Sequence, residues 1–180
     1  MDSKIFPKNN ECNIAIIGLG YVGLPLAIEF AKSKICFRTK KMLNHHVIGF
    51  DLNTERLNEL REGFDRTKEI STKILKNIKN ITYTNNIDSL SEADVFIVTV
   101  PTPIDKNKKP DLTYLKSASI NVGEALKKRL ENCLKKQNQT TPVVIYESTV
   151  FPGATEEICI PIINKKSGLK FNDQRAYKGF

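Results

Sequence analysis

The feature that constrains the fold most is an apolar segment that runs directly into a glycine-rich turn. Residues 13–17 have the sequence NIAII, residues 18–23 have the sequence GLGYVG, and apolar residues at helical spacing follow. A short, continuous apolar run is typical of a strand buried on both faces, and the spacing after the turn is typical of an amphipathic helix. This order of strand, tight turn and helix predicts the first unit of a sheet built from parallel strands and crossover helices.

The three glycines of the turn each meet a different physical requirement. Gly18 permits the tight turn, Gly20 lets the backbone approach a pyrophosphate, and Gly23 lets the helix pack close to the strand. Tyr21 and Val22 lie between the last two glycines, and free N–H groups at the start of the helix would face the phosphates. Because the turn lies between a strand and a helix, it predicts a dinucleotide-binding site; a glycine-rich turn without a ligand is the alternative.

An acidic residue, Asp51, ends the second predicted strand, which covers residues 47–51. A carboxylate at this edge of the sheet accepts hydrogen bonds from the adenosine ribose hydroxyls and repels a 2′-phosphate, so it favours NAD over NADP. An N-cap of the next helix is the alternative role, because Asn53 and Thr54 follow. Arg56 lies one helical turn further on, where it either reaches the ribose or adenine or is an exposed helix arginine.

Hydroxyl groups follow the fourth and fifth predicted strands. Thr102 lies between two prolines, and Thr149 ends the sequence Glu147-Ser148-Thr149. Ligands of open α/β sheets bind outside the carboxyl ends of the strands, so both threonines are candidates for cofactor contacts. A turn or cap hydrogen bond is the alternative for each hydroxyl, and the residues by themselves do not decide between the two.

The remaining segments complete an alternating pattern. Strands are predicted at residues 13–17, 47–51, 81–84, 95–100 and 143–146, and helices at residues 22–31, 54–62, 66–79, 112–134 and 153–164. Pro161 is expected to bend or end the last helix. We therefore predict an α/β fold with a doubly wound parallel (Rossmann) sheet, strand order 3-2-1-4-5, and at most a stub of a sixth strand at residues 177–179.

Two segments depart from a minimal domain of this kind. Residues 1–12 are predicted to be a loose leader before a domain over residues 13–180, and residues 33–46 form an insertion between the first helix and the second strand. Because of the insertion, Asp51 lies 28 residues beyond Gly23, where about 20 is usual. His45 and His46 are adjacent, so they cannot easily share one metal ion, and we interpret them as loop residues. The sequence does not decide whether the insertion perturbs the adenosine side of the site.

Composition narrows the functional classes. The chain is 40% hydrophobic and 27% charged, its apolar runs are too short to cross a bilayer, and no secretory signal is visible, so we expect a cytoplasmic protein. The net charge of +8 comes from basic residues spread along the chain, which favours a solvated surface over a nucleic-acid interface. The four cysteines have neither zinc-site nor C-x-x-C spacing, so we predict unpaired thiols and no metal site; they are Cys12, Cys36, Cys133 and Cys159.

Together these motifs resemble the N-terminal NAD-binding domain of the UDP-glucose/GDP-mannose dehydrogenase family. The resemblance is greatest to the UDP-N-acetylhexosamine (UDP-GlcNAc or UDP-GalNAc) 6-dehydrogenases of bacterial capsule and polysaccharide synthesis. It covers nearly the whole chain outside the leader and the insertion, in the stretches IAIIGLGYVGLPLAIEFAK, VIGFDLNTERLNELREGFDRTKE, ADVFIVTVPTPID, KPDLTYLKSAS and ESTVFPGATEE. It implies that NAD oxidises the C6 hydroxyl of a UDP-sugar to a carboxylate, with two NAD per sugar. The implied NAD contacts are Val22, Asp51, Arg56, Thr102 and Thr149, and Glu147 is assigned no catalytic role.

The sequence also departs from that family. Its members are much longer, and their nucleophilic cysteine, the assisting lysine and asparagine, the central dimer helix and the substrate domain lie beyond the matching segment. None of the four cysteines has a comparable context, so no catalytic residue is assigned. We expect the NAD-binding part of an oxidoreductase, truncated and inactive alone unless a partner chain supplies the rest. The alternative is a non-catalytic binding or regulatory module that contacts nucleic acid through its basic surface.

Overall fold

The computed structural model describes residues 6–8, 10–136, 140–173 and 179–180. Its centre is a five-stranded parallel sheet with the order β3-β2-β1-β4-β5, which confirms the predicted fold class and strand order. The strands are β1 (Asn13–Ile17), β2 (His46–Phe50), β3 (Ile81–Thr84), β4 (Val95–Val98) and β5 (Val143–Tyr146). Ile17 is in register with Phe50 on one side and Val98 on the other, so the strands that flank the glycine-rich turn end at the same level.

Helices cover both faces of this sheet. They are α1 (Gly23–Lys32), α2 (Thr54–Glu62), α3 (Thr72–Asn77), α4 (Ile87–Leu90), α5 (Thr113–Lys136) and α6 (Ile160–Ser167), with a π-helical turn (Thr155–Cys159) before α6. In β1, Ile14 and Ile16 pack into one core, and Ala15 and Ile17 pack into the other. Because both faces are buried, the central strands are apolar throughout rather than alternating with polar residues.

The predicted helix over residues 66–79 is wrong in its first half. The structure has α3 only at Thr72–Asn77, because the Asp65 carboxylate accepts the backbone N–H groups of Thr67, Glu69 and Ile70. These hydrogen bonds hold the chain in a loop, since a side-chain acceptor replaces the carbonyls that a helix would offer.

The last helix also differs from its prediction. The N–H of Ile160 donates to the carbonyl of Thr155, five residues earlier, and the wider π-helical turn leads the chain into α6. Pro161 comes directly after this π-helical turn, so its missing N–H falls where the regular α-helical hydrogen bonding is already interrupted. The helix therefore continues to Ser167 and ends at Gly168, which has a left-handed φ of 74°.

The insertion forms a hairpin at the edge of the sheet opposite the glycine-rich turn. Ile35 and Met42 pair in antiparallel fashion, and the N–H of Leu43 donates to the carbonyl of Lys34 at 2.8 Å. The segment joins the end of α1 to the start of β2, so it lies at the amino ends of the parallel strands, away from Asp51. The insertion therefore does not border the adenosine side of the site.

Of the two histidines predicted to be loop residues, His45 lies outside any strand or helix, whereas the prediction is wrong for His46. His46 begins β2, and His45 is buried with its Nδ1 3.3 Å from Sγ of Cys12.

Gly179 forms an isolated parallel bridge with Lys170, while residues 177–178 of the predicted sixth strand lie outside the described residues. Much of the predicted leader, residues 1–5 and 9, lies outside them too, as does the side chain of Cys133.

Candidate functional site

A cavity of about 530 Å³ opens at the carboxyl edge of the sheet. The glycine-rich turn, the segments that follow β2, β4 and β5, and one face of α5 form its walls. The structure thus brings together seven of the nine residues that the sequence singles out as cofactor contacts: Gly18, Gly20, Tyr21, Val22, Asp51, Thr102 and Thr149. Gly23 and Arg56 lie behind the wall and do not line the cavity.

The turn between β1 and α1 depends on close packing around Gly23. A Cβ on Gly23 would lie 1.8 Å from the carbonyl oxygen of Gly18 and 2.4 Å from Oγ1 of Thr99. The Thr99 hydroxyl is buried there and donates a 2.8 Å hydrogen bond to the Gly18 carbonyl, whose residue has a φ of 97°. Sequence analysis missed Thr99, because a threonine at the end of a strand carries no signal of the contact it makes across the turn.

The peptide groups on either side of Leu19 are held by two side chains. Asp51 Oδ2 accepts the Leu19 N–H at 2.9 Å, and Arg56 Nε donates to the Leu19 carbonyl at 3.0 Å. In a trans peptide the N–H points opposite to the carbonyl, so the N–H of Gly20 points away from Arg56. A Cβ on Gly20 would meet no atom within 4 Å, which shows that the backbone is open to the cavity at this position.

Arg56 is a buried residue beneath the turn. Its side chain is only 6% exposed, and its Nη2 forms an ion pair with Oδ1 of Asp65 at 2.7 Å. Its Nη1 has no hydrogen-bond partner and lies 3.9 Å from Oε2 of Glu59. Of the two roles that the sequence allows, an exposed helix arginine is therefore wrong, and the guanidinium is directed toward Leu19 and Asp65 rather than into the cavity.

Asp65 is the second buried residue that sequence analysis missed. Burial by itself would raise the pKa of its carboxyl group, but hydrogen bonds from the Thr67 hydroxyl, the Ile70 N–H and Arg56 outweigh burial and lower the pKa from 3.8 to about 2. The carboxylate is therefore ionised throughout the neutral range. The only local signal is a threonine two residues later, as in an Asx turn, and that signal does not reveal the partner on α2.

The loops after β4 and β5 are tied to each other. The Thr102 hydroxyl donates to the Thr149 carbonyl at 2.5 Å, and the Ser148 hydroxyl donates to the Val100 carbonyl at 2.7 Å. These bonds hold both threonines on the same side of the cavity, opposite Asp51. The ends of β2 and β5 are three strand spacings apart, about 14 Å, so the cavity extends across the edge of the sheet.

One face of α5 supplies the remaining wall. Tyr114, Ser117 and Asn121 line it, and the side-chain amide of Asn121 has no hydrogen-bond partner among the described residues. An amide at the cavity surface offers two donors and an acceptor to a ligand. Asn121 was not predicted because it lies in an ordinary helical pattern, and only the packing of α5 beside β4 brings it to the cavity.

The lining of the cavity contains no cationic side chain, so an anionic group of a ligand would be bound by backbone N–H groups. The lining residues include two carboxylates, Asp51 and Glu147, and none of them is Lys, Arg or His. A pyrophosphate in this cavity would be held by the N–H groups of the glycine-rich turn and the amino end of α1, which is the usual way in which helix N-termini bind phosphate. The lining thus provides no cation for a further phosphate group on the adenosine ribose.

The part of the chain that the structure describes contains neither a cluster of metal ligands nor a membrane-spanning helix. Within residues 6–8, 10–136, 140–173 and 179–180, no three His, Cys, Asp or Glu side chains are grouped so that they could hold a metal ion. Across the same ranges, no helix combines the length and the apolar character needed to span a membrane.

Comparisons with known proteins agree with this geometry. Residues 12–177 match the model of the UDP-glucose/GDP-mannose dehydrogenase family, NAD binding domain. The chain is 47% identical over 163 residues to the UDP-N-acetyl-D-glucosamine 6-dehydrogenase of Pseudomonas aeruginosa, covering 91% of this chain and 33% of that protein. It is 43% identical to the enzyme of the same name from Salmonella typhi, covering 95% of this chain and 35% of that protein.

Solved structures of nucleotide-sugar dehydrogenases superpose on this chain. The UDP-D-ManNAc dehydrogenase of Pyrococcus horikoshii superposes with a TM-score of 0.69 at 30% identity, covering 90% of this chain and 34% of that one. A ternary complex of GDP-mannose dehydrogenase from Pseudomonas aeruginosa superposes with a TM-score of 0.68 at 27% identity, covering 87% of this chain and 33% of that one. The chain thus spans about a third of the length of the curated relatives it matches.

Proposed function

The chain belongs to the UDP-glucose/GDP-mannose dehydrogenase family, and we propose that its cavity holds NAD for the oxidation of a nucleotide sugar at C6. It is the NAD-binding domain of a nucleotide-sugar dehydrogenase. The observation that carries the proposal is the single cavity in which the glycine-rich turn and Asp51 meet the loops that follow β4 and β5.

Asp51 would bind the adenosine ribose. One of its oxygens accepts the N–H of Leu19 and the other accepts the N–H of Asn53, both at 2.9 Å, so the carboxylate is held in a fixed orientation. An ionised carboxylate has about four acceptor positions, which leaves two for the ribose hydroxyls. The residues present therefore fit the adenosine end of NAD.

Gly20 and the amino end of α1 would bind the pyrophosphate. The open space at Gly20 lets the backbone come close to the phosphates, and Asp51 and Arg56 orient the two peptide groups on either side of Leu19. The N–H of Leu24 already donates to the Gly20 carbonyl at 3.2 Å and Pro25 has no N–H, so the donors for an anion would be the earlier N–H groups, in residues 20–23. Tyr21 and Val22 line the same part of the cavity.

The nicotinamide would lie between α5 and the loops after β4 and β5. There the Thr102–Thr149 hydrogen bond holds two loops in position, and the Asn121 side-chain amide lines the cavity. When bound, NAD supplies the hydride acceptor for the oxidation. The relatives make a UDP-N-acetylhexosamine the proposed substrate. A partner chain that supplies the catalytic part, and a cytoplasmic location, stay predictions.

Calorimetric titration of the chain with NAD and with NADP tests the proposal. NAD is expected to bind more tightly than NADP, and Asp51→Ala is expected to weaken NAD binding by about 1–3 kcal/mol, because hydrogen bonds to a charged group are lost. Asp88→Ala is the matched control, since Asp88 is an exposed carboxylate on α4 that does not line the cavity. Binding of neither nucleotide, or tighter binding of NADP, would contradict the proposal.

A further inference from the structure

The hairpin of the insertion, residues 34–43, carries large apolar side chains that face the solvent. Phe37 is 89% exposed, more than any other large apolar side chain of the described residues, and Met42 and Ile35 are 70% and 59% exposed. Single exposed apolar residues are ordinary on a protein surface, whereas a group of them on one small element indicates an interaction site. The hairpin therefore carries an apolar patch outside the nucleotide site.

The backbone of the hairpin holds this patch together. Ile35 and Met42 pair across its two arms, and directly opposed residues of an antiparallel pair place their side chains on the same face. The N–H of Lys40 donates to the Cys36 carbonyl at 2.9 Å, which closes the turn that contains Phe37. The Lys40 ammonium lies 4.6 Å from the centre of the Phe37 ring, so an aromatic ring and a cation are presented together at the tip.

The same segment is strongly cationic. Residues 33–46 contain no Asp or Glu, and their basic side chains supply half of the formal net charge of +8. These side chains are all exposed: Lys34, Arg38, Lys40 and Lys41. Long basic side chains can lay their apolar stems on an apolar surface while their charged ends stay in water. Apolar side chains surrounded by cations are typical of segments that enter the interface of an anionic bilayer.

We propose that the hairpin docks the protein reversibly on the surface of an anionic lipid bilayer. The Phe37 ring and the pair of Ile35 and Met42 enter the boundary between headgroups and acyl chains, and the basic side chains lie among the lipid phosphates. Stable attachment of this peripheral kind takes two signals, and the hairpin combines an apolar one with a polybasic one. The inference does not depend on the proposed function, because it concerns another surface of the molecule.

The position of the hairpin is compatible with an accessible nucleotide site. The hairpin joins α1 to β2 at the amino ends of the strands, whereas the cavity opens at their carboxyl edge. A bilayer bound at the hairpin therefore leaves the cavity open to water, and vesicles are expected to leave NAD affinity unchanged.

Two other occupants fit the hairpin less well. A second copy of the chain would place two sets of these cations against each other, which is unfavourable because the segment has no acidic side chain to pair with them. A nucleic acid would satisfy the cations and could stack a base on Phe37, but Ile35 and Met42 have no aromatic face for stacking. An anionic bilayer suits the charges and the aliphatic side chains together.

Co-sedimentation of the full chain with lipid vesicles tests the inference. Vesicles of phosphatidylcholine with about one third phosphatidylglycerol are expected to bind the chain about a hundredfold more tightly than vesicles of phosphatidylcholine alone. Arg38→Gln/Lys41→Gln leaves the contact between Lys40 and Phe37 in place and is expected to weaken binding about thirtyfold, because two cations are lost. Phe37→Ser is expected to weaken it about tenfold, because an apolar ring no longer leaves water.

Matched controls come from the loop after β4, at the opposite edge of the sheet. Lys106→Gln/Lys109→Gln removes the same charge from exposed positions, and Ile104→Ser removes an apolar side chain that is 71% exposed. Both are expected to leave vesicle binding unchanged within about twofold, because these side chains lie outside the docking surface. Circular dichroism of each variant shows that the fold is kept, as expected for changes at exposed side chains.

Several results would overturn the inference. They are no binding to anionic vesicles, equal binding to both kinds of vesicle, full binding by Phe37→Ser, and an equal loss in the control variants. Binding of a duplex DNA of about 20 base pairs that Arg38→Gln/Lys41→Gln abolishes, without binding of vesicles, would assign the cations to a nucleic acid instead. Failure of the chain to bind NAD would contradict the proposed function alone and would leave the result with vesicles standing.

Discussion

Replacing a glycine by alanine at Gly20 and at Gly23 is expected to have opposite consequences, although the two positions lie three residues apart in one turn. At Gly23 the added Cβ would be 1.8 Å from the Gly18 carbonyl oxygen, so the two atoms must separate by about 1.2 Å to reach even 3.0 Å. Thr99 must also move, because its Oγ1 would be 2.4 Å from the new Cβ. The Gly18 carbonyl is a backbone group that cannot rotate aside, and moving Oγ1 of Thr99 breaks the hydrogen bond between Thr99 and Gly18.

The free-energy cost follows from these distances. Overpacking of this kind costs about 1–3 kcal/mol, and a lost buried hydrogen bond costs about 1 kcal/mol. Alanine recovers about 0.5–1 kcal/mol relative to glycine in a helix. Gly23→Ala is therefore expected to destabilise the domain by about 1–3.5 kcal/mol and to lower the Tm by about 2–14 °C for a chain of this size.

Gly20→Ala is expected to affect binding instead of stability. Its Cβ would meet no atom within 4 Å, and the backbone of Gly20 is not in the left-handed region, so the Tm should change by less than about 2 °C. The same methyl group occupies the space through which the backbone approaches the pyrophosphate, so NAD affinity should fall about tenfold or more.

Thermal unfolding followed by circular dichroism, combined with NAD titration, measures both quantities on the same samples. The reasoning is refuted if Gly20→Ala lowers the Tm as much as Gly23→Ala does, or if it keeps wild-type NAD affinity. An unchanged Tm in Gly23→Ala would show that the turn relaxes around the new methyl group.

Two further expectations concern acid stability and the insertion. The pKa of Asp65 is about 2 in the folded chain and 3.8 ordinarily, so its carboxylate stabilises the fold fully above 3.8 and loses this effect as the pH falls through the folded pKa. The stability difference between wild type and Asp65→Asn in urea unfolding should narrow by about 1–2 kcal/mol between about pH 6 and pH 2, and a constant difference would contradict this. Because Lys34 and Leu43 are already hydrogen bonded, replacing residues 35–42 by an Asn-Gly turn should leave NAD affinity unchanged within about twofold, and a larger loss would place the hairpin in contact with the site.

Much of the fold and part of the site could be predicted because the signals are local. The apolar strand, the glycine spacing and the acid at the end of β2 are each set by a few neighbouring residues, and parallel strands bring their carboxyl ends to one edge. The helix predicted over residues 66–79 failed because the Asp65 side chain competes with the backbone for N–H groups, which hydrophobic periodicity does not report. Of the two effects expected of Pro161, a bend or an end of the helix, the end does not occur, because a π-helical turn precedes the proline and leads the chain into α6.

The sequence by itself determined the order of the elements, the strand order 3-2-1-4-5 and the place of Asp51 beside the glycine-rich turn. Only the tertiary structure decided the environment of Arg56, because helix periodicity locates its Cα but not the partner that its long side chain finds. It also decided the roles of Thr99 and Asn121, which depend on contacts between segments far apart in the chain. Local patterns encode backbone conformation and burial, whereas these contacts arise only when separate elements pack.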